Sequence, residues 1–201
     1  MSIIEEKDKE INEAKEIVEV YIKNGIKHVV WDFDLTVLGL HSADIVLKIS
    51  SDLMTARWND AKCDSIGPCN LNYYANANLF KDVVLECKRN NIKVYIASFG
   101  YRLFIKGQIE ILFGKDQDIF NDDNVWTPSD FGFNDFDDMG DKLKMLNKIK
   151  LDNGDKNQVL FYDDSYKNIT SAVADGFKHA FLVNNRFNDV GLTSKEKYLS
   201  C

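Results

Sequence analysis

The 201-residue chain has two prolines, three histidines and four cysteines, and no apolar run approaches the length of a membrane span. With two prolines and eleven glycines, collagen-like and proline-rich linker architectures are excluded. The apolar runs, such as Val29–Trp31 and Val159–Tyr162, fall far short of the about 20 residues a transmembrane helix needs. Cys63, Cys69, Cys87 and Cys201 show no CxxC spacing, and His28, His41 and His179 are scattered, so neither a zinc centre nor a disulfide framework is expected. The first residues, Met1–Lys7, lack a basic stretch followed by an apolar one, and a final Cys201 makes no CaaX signal. The expectation is a cytoplasmic protein with reduced thiols and no membrane partner. Positive charge is also short, with 25 Lys and Arg against 32 Asp and Glu for a net charge of −7. Nucleic acid is therefore not expected as a partner, because backbone binding needs Lys and Arg to neutralise phosphates. A local phosphate site would need a metal or a few focused cations.

What the chain does have is 45% hydrophobic and 28% charged residues, an ordinary globular composition with enough apolar surface for one domain. Residues 3–24 carry Ile3, Ile4, Ile11, Ala14, Ile17, Val18, Tyr21 and Ile22 at helical spacing, ended by Asn24-Gly25. This predicts an N-terminal helix within residues 1–25, packed on a domain spanning 26–201. Strands are expected at Ile26–Phe33, Ile92–Ala97, Asn124–Trp126, Gln158–Tyr162 and His179–Val183. Helices are expected at Ala43–Trp58, Leu79–Asn90, Tyr101–Phe113, Asp138–Ile149 and Tyr166–Ala174, with a short irregular insertion near 43–78. Alternating strands and helices predict an α/β fold, a three-layer Rossmann-like parallel sheet with helices on both faces. Ligands of such sheets bind beyond the carboxyl ends of the strands.

The residues at those ends carry the chemistry. Asp32 and Asp34 follow the first strand in Trp31-Asp32-Phe33-Asp34-Leu35-Thr36, and strand alternation would project both to one side. Two carboxylates so close repel unless a cation or a shared proton intervenes, although a lone Asp there is often a polar strand end or a cap. Ser98 follows the second strand, where a hydroxyl before a helix is first of all an N-cap and, beside free backbone N–H groups, also an anion site. Asp163 and Asp164 end a further strand, and a parallel sheet would bring them beside Asp32, giving the all-oxygen surroundings that suit Mg2+. Lys142 opens a helix just upstream, where the dipole disfavours a cation unless it answers an anion; Lys144 is the rival for that role.

In order and placement these stations resemble the four motifs of the haloacid dehalogenase-like hydrolase superfamily. They stand here as DFDLT at Asp32–Thr36, IASFG with Ser98, GDKLKML with Lys142, and LFYDDSYKN with Asp163 and Asp164, over roughly residues 28–183. The resemblance implies an Mg2+-dependent phosphomonoester hydrolase. Asp32 would be the nucleophile that forms an aspartyl-phosphate, and Asp34 the acid and base, a residue that dehalogenase relatives lack because a halide leaving group needs no proton. It implies a metal set of Asp32, Asp34 through its backbone carbonyl, and Asp163, and a phosphate site of Ser98, Phe99 and Lys142. Thr36, Asp164 and Asn168 would be supporting residues.

Between Asp34 and Ser98 the chain is too short for a large helical cap, and between Ser98 and Lys142 one helix and an acidic loop fill the space, so no large cap domain is expected. The compact spacing is most similar to the capless magnesium-dependent phosphatases, which include protein-tyrosine-phosphatase-like members. DFDLTVLGLHS also resembles the flap of phosphoserine phosphatases that act on polymerase tails, although FYDDSYKN departs from the DNSP form of that group. A phosphorylated protein (Tyr or Ser) or a small phosphorylated metabolite is the expected substrate, with an oligomer compatible with the sequence. Arg57, Trp58, Tyr73 and Tyr74 either line the mouth of the site or pack an irregular segment, and Asp116–Asp141 is either a partner-binding loop or a solvated one. The rival readings are a catalytically silent phosphate-binding domain and a receiver-like signalling domain. The latter places a lone phospho-accepting Asp on its third strand rather than DxD after the first.

Overall fold

The computed structural model describes residues 3–42, 69–131 and 140–183. The expected helix at Ala43–Trp58, most of the 43–78 insertion, Arg57 and Trp58 lie outside them.

Three helices end by one device that also starts a strand. Helices α1 (Ile3–Lys23), α2 (Ala77–Arg89) and α5 (Tyr166–Ala174) are each followed by a residue in the left-handed region: Gly25 (φ +72), Asn91 (φ +57) and Gly176 (φ +98). Glycine takes that conformation without penalty and asparagine at small cost. The next residue then bonds back across the last turn, as in Ile26 N to Tyr21 O at 2.9 Å, Ile92 N to Cys87 O at 2.9 Å and Phe177 N to Ala172 O at 3.0 Å. Ile26, Ile92 and Phe177 are all buried, so each reversal is locked by an apolar side chain as the chain heads into β1 (His28–Trp31), β2 (Lys93–Ala97) or β5 (His179–Leu182).

With β3 (Val125–Trp126) and β4 (Val159–Asp163) these form one five-stranded, all-parallel sheet in the order β3-β2-β1-β4-β5. Alternation along the strands sorts their side chains into two cores. Val29, Trp31, Val94, Ile96, Leu160 and Tyr162 meet α1, α2 and α3 (Arg102–Phe113) on one face. Val30, Ala97, Val159 and Phe161 meet Met145 and Leu146 of α4 (Leu143–Leu146) and Ile169 and Ala172 of α5 on the other. The fold is therefore α/β in three layers, and central β1 is buried on both faces, as expected of a parallel sheet.

The strand order places the site. From β1 the chain runs outward to β2 and β3, then returns to the other side of β1 for β4 and β5. Direction reverses between β1 and β4, and the crevice at such a switch point is where doubly wound sheets take ligands.

Two expectations need correcting. The strand expected at Ile26–Phe33 ends at Trp31. The helix expected over Asp138–Ile149 is the single turn Leu143–Leu146 within the described residues. Gly140 at φ +56 and the Asp141 carboxylate, which accepts from Leu143 N at 3.0 Å, hold the chain out of helix before Leu143; tightened bonds from Lys148 N and Ile149 N close it afterwards. In the described part of the acidic stretch after α3, Arg102 joins Asp122 and Asp130, and Lys106 also pairs with Asp122, whose side chain stays exposed. Cys69 and Cys87 are free thiols, and no helix of the described residues is long and apolar enough to cross a membrane.

Candidate active site

Asp32 N donates to Tyr162 O at 2.8 Å, and the chain then leaves the sheet in a single wide turn, Phe33–Val37. Within it Asp34 is extended (φ −70, ψ 133) and Leu35 is left-handed (φ 55). A branched side chain in that region costs about 1–3 kcal/mol, so the surroundings must hold it there. Phe33 supplies one anchor, fully buried with its ring edge-on to Tyr74 at 6.5 Å. Leu38 N to Phe33 O at 2.8 Å closes the turn, and an antiparallel bridge from Leu38 to Tyr74 ties it down. A kink around buried Phe33 thus separates Asp32 from Asp34, where continued strand alternation was expected.

The buried charges converge across the β1–β4 crevice. Lys142 Nζ donates to Asp32 Oδ1 and, at 2.8 Å, to Asp163 Oδ2; the three side chains are 3%, 6% and 0% exposed. Asp163 also accepts from Ser165 N at 2.8 Å and, through both oxygens, from Asn168 Nδ2 at 3.0 Å. Thr36 Oγ1 donates to Asp32 Oδ2 at 3.3 Å. The ammonium of Lys142 lies 5.3 Å from the centre of the Phe99 ring, a cation–π contact that suits a desolvated cation. Lys142 stands at the N-cap position of α4, where its own turn gives it no side-chain role, whereas Lys144 is exposed in that turn.

Ser98 is fully buried, its N–H donates to Trp126 O at 3.0 Å, and its Oγ accepts from Gly100 N at 3.0 Å. It caps no helix, because α3 begins at Arg102 and Tyr101 holds the cap position. A buried serine hydroxyl in a turn after β2, freed from capping, is available to an anion. Phe99 lies between Ser98 and Gly100 in this turn.

Charge is unbalanced. One carboxylate oxygen each from Asp32, Asp163 and Asp164 lies within 4.8 Å of the others, against the single ammonium of Lys142. Burial pushes Asp32 well above the usual carboxyl range, with Asp163 and Asp34 adding to the shift and Lys142 opposing it. Asp164 is raised by burial and by Asp163, and Asp34 by burial against its hydrogen bonds from Ser42. Burial works against the Lys142 ammonium, but Asp163 and Asp32 outweigh it and raise its pKa, keeping it charged. Three hard oxygen donors and an excess of negative charge fit a divalent cation such as Mg2+. The Asp164 carboxylate belongs to this trio, whereas the Asp34 carboxylate turns away to Ser42.

Two residues that sequence reasoning did not single out complete the site. Ser42 is fully buried, and its Oγ donates to Asp34 Oδ2 at 2.6 Å. Gly100 lies in a tight place: a Cβ there would stand 3.0 Å from Ser42 Oγ, 3.1 Å from Ser98 Oγ and 3.6 Å from Asp34 Oδ1. The only signals were the HS that closes DFDLTVLGLHS and the Gly two residues after Ser98. Tyr74 belongs to the core, with its hydroxyl donating to Gln108 O at 2.7 Å, and half-buried Tyr73 packs near the Phe104 ring. Comparison with family models, with curated proteins and with solved structures gave no match.

Proposed function

We propose that this chain is an Mg2+-dependent phosphomonoester hydrolase that works through a phosphoryl group carried on Asp32, a capless member of the haloacid dehalogenase-like hydrolases. The observation that carries the reading is the buried Lys142 ammonium between Asp32 and Asp163 at the sheet's switch point, with Asp34 and Ser98 alongside. Stability is a poor explanation for it, since taking each charge out of water costs several kcal/mol that well-packed apolar residues would avoid.

A carboxylate oxygen of Asp32 attacks phosphorus in line, the ester P–O bond breaks, and Asp34 gives its proton to the departing oxygen. Water then attacks the same phosphorus and yields its proton to Asp34, while the P–O bond to Asp32 breaks to release phosphate and restore the carboxylate. The Ser98 hydroxyl, the Phe99 main-chain N–H and Lys142 hold the phosphoryl oxygens. Asp163, fixed by Ser165 N and Asn168, keeps Lys142 aimed, and Thr36 steadies Asp32. Mg2+, held by Asp32, Asp163, Asp164 and the Asp34 backbone carbonyl, would supply the positive charge that lets an anionic nucleophile meet an anionic phosphate. Phosphorylated Tyr or Ser in a protein, or a small phosphorylated metabolite, is the substrate class.

Purified protein should hydrolyse p-nitrophenyl phosphate with Mg2+, and EDTA or Asp32→Asn should abolish turnover. Activity that survives Asp32→Asn sinks the mechanism. If a screen of phosphopeptides, sugar phosphates and nucleotides shows no turnover at all, the silent phosphate-binding reading takes its place.

A further inference from the structure

The two oxygens of the Asp34 carboxyl group stand in different surroundings. Oδ2 accepts a 2.6 Å bond from Ser42 Oγ, and the Ser42 main chain adds a further hydrogen bond to the carboxyl group. Oδ1 is out of solvent yet makes no hydrogen bond to any described residue. It faces the turn after β2, lying 3.6 Å from where a Cβ of Gly100 would be, a point itself 3.1 Å from Ser98 Oγ. A buried, unpaired polar atom is costly, and one aimed at a phosphate station needs a reason.

We infer that Ser42 is a positioning residue: it grips Asp34 by Oδ2 and thereby presents Oδ1 as the atom that carries the proton to and from the reacting oxygens. This rests on the hydrolase reading above and deepens it. A neutral carboxyl group accepts best through its carbonyl oxygen, so the bond that Ser42 donates to Oδ2 favours Oδ1 as the oxygen that carries the transferable proton. Proton transfer needs that oxygen within hydrogen-bond reach of the ester oxygen, and Asp34 stands in an extended conformation just before left-handed Leu35, a backbone path that does not by itself fix its rotamer. Fully buried Ser42, wedged against Gly100, supplies the missing constraint. In the first step the proton leaves Oδ1 for the departing alkoxide or phenoxide as the P–O bond breaks. In the second, Oδ1 takes a proton from the attacking water, so the carboxyl group is restored and no other reagent is consumed.

The role is legible in leaving-group dependence. A nitrophenolate leaves without help, whereas a benzyl alkoxide must be protonated as it departs; both substrates present one ring and one phosphate. kcat/KM, which reports steps through the first irreversible one, is measured on p-nitrophenyl phosphate and on benzyl phosphate for wild type, Ser42→Ala, Ser42→Thr and Asp34→Asn, with thermal melts confirming the fold. Ser42→Ala should lose about tenfold to a hundredfold more on benzyl phosphate than on p-nitrophenyl phosphate, in line with the cost of misplacing a catalytic group. Ser42→Thr, which keeps the hydroxyl, should restore most of that difference, and adding Ser42→Ala to Asp34→Asn should create no further difference. If Ser42→Ala does not fold, Ser42→Cys, similar in size with a weaker donor, is read in the same way. Equal losses on both substrates, or none on either, overturn the positioning role while leaving the hydrolase reading intact. A wild type that cleaves p-nitrophenyl phosphate but not benzyl phosphate has no working acid and likewise overturns it. A wild type inactive on both overturns the hydrolase reading and this inference together.

Discussion

The two ends of strands β1 and β4 treat charge in opposite ways. At the amino ends, Lys27 pairs with Asp152 across the strand starts at 3.0 Å with side chains 54% and 69% exposed, and His28 tucks its ring beside Tyr95. At the carboxyl ends, a few residues further on, Lys142, Asp32 and Asp163 are all but sealed from solvent. The exposed pair trades water for a partner at almost no net gain, as surface ion pairs do. The sealed cluster gives up water for several charges at once and still leaves two more carboxylates, Asp34 and Asp164, raised by burial. One sheet with one hydrogen-bonding pattern supports both arrangements, so the backbone does not demand the buried charges. They mark the end of the sheet where the proposed chemistry would be set, and stability is supplied by the apolar layers on its two faces.

The sharpest way to break this contrast is to remove one cation from each end. Lys142→Met leaves Asp32 and Asp163 buried without their ammonium and should cost about 3–5 kcal/mol in a denaturant melt, with turnover lost as well. Lys27→Met should leave the melt essentially where it was. Equal, small effects at both ends would mean that the carboxyl-end cluster is far wetter than its burial says.

The next largest effect comes from restoring charge balance with an ion. If Asp32, Asp163 and Asp164 bind Mg2+ only in the folded state, a concentration 100 times the dissociation constant stabilises by about 2.7 kcal/mol, which raises Tm by roughly 5–10 °C in a chain of this size. EDTA should reverse the shift and Asp163→Asn should remove it. A melt indifferent to Mg2+ in the wild type would contradict the ion site whatever the activity assays show.

The fold was largely legible because it rests on periodicity and on reversals written in single residues. The run Ile11 to Ile22 announces α1, Gly25 its end, and Val29–Trp31 the doubly buried strand that follows. The charged stations could be read from their spacing as well. The positions of Ser42 and Gly100 could not, because their roles depend on a turn whose path is set by Phe33 sinking into the core and Leu35 taking φ +55. Nor could the brevity of α4, since apolar spacing over 138–149 does not reveal that Gly140 and Asp141 hold the chain out of helix until Leu143.

The smallest effect tests the amino end through His28. Burial, with Lys93 adding to it, lowers the imidazole pKa from 6.5 to about 4 in the folded protein. A group whose folded pKa is depressed contributes stability that is fully present above its unfolded pKa, here above about pH 6.5, and lost as pH falls through the folded value near 4, because the unfolded chain takes up the proton first. At pH 5 the loss is about 2 kcal/mol by linkage, and about 1 kcal/mol once solvent and the exposed charges beside the ring are allowed for. His28→Phe removes the titration and keeps a ring against Tyr95, so its stability should fall less than that of the wild type between pH 7.5 and pH 5. Parallel pH profiles would mean that His28 titrates as it does in water. The difference between the two ends of the sheet would then be larger than the structure indicates.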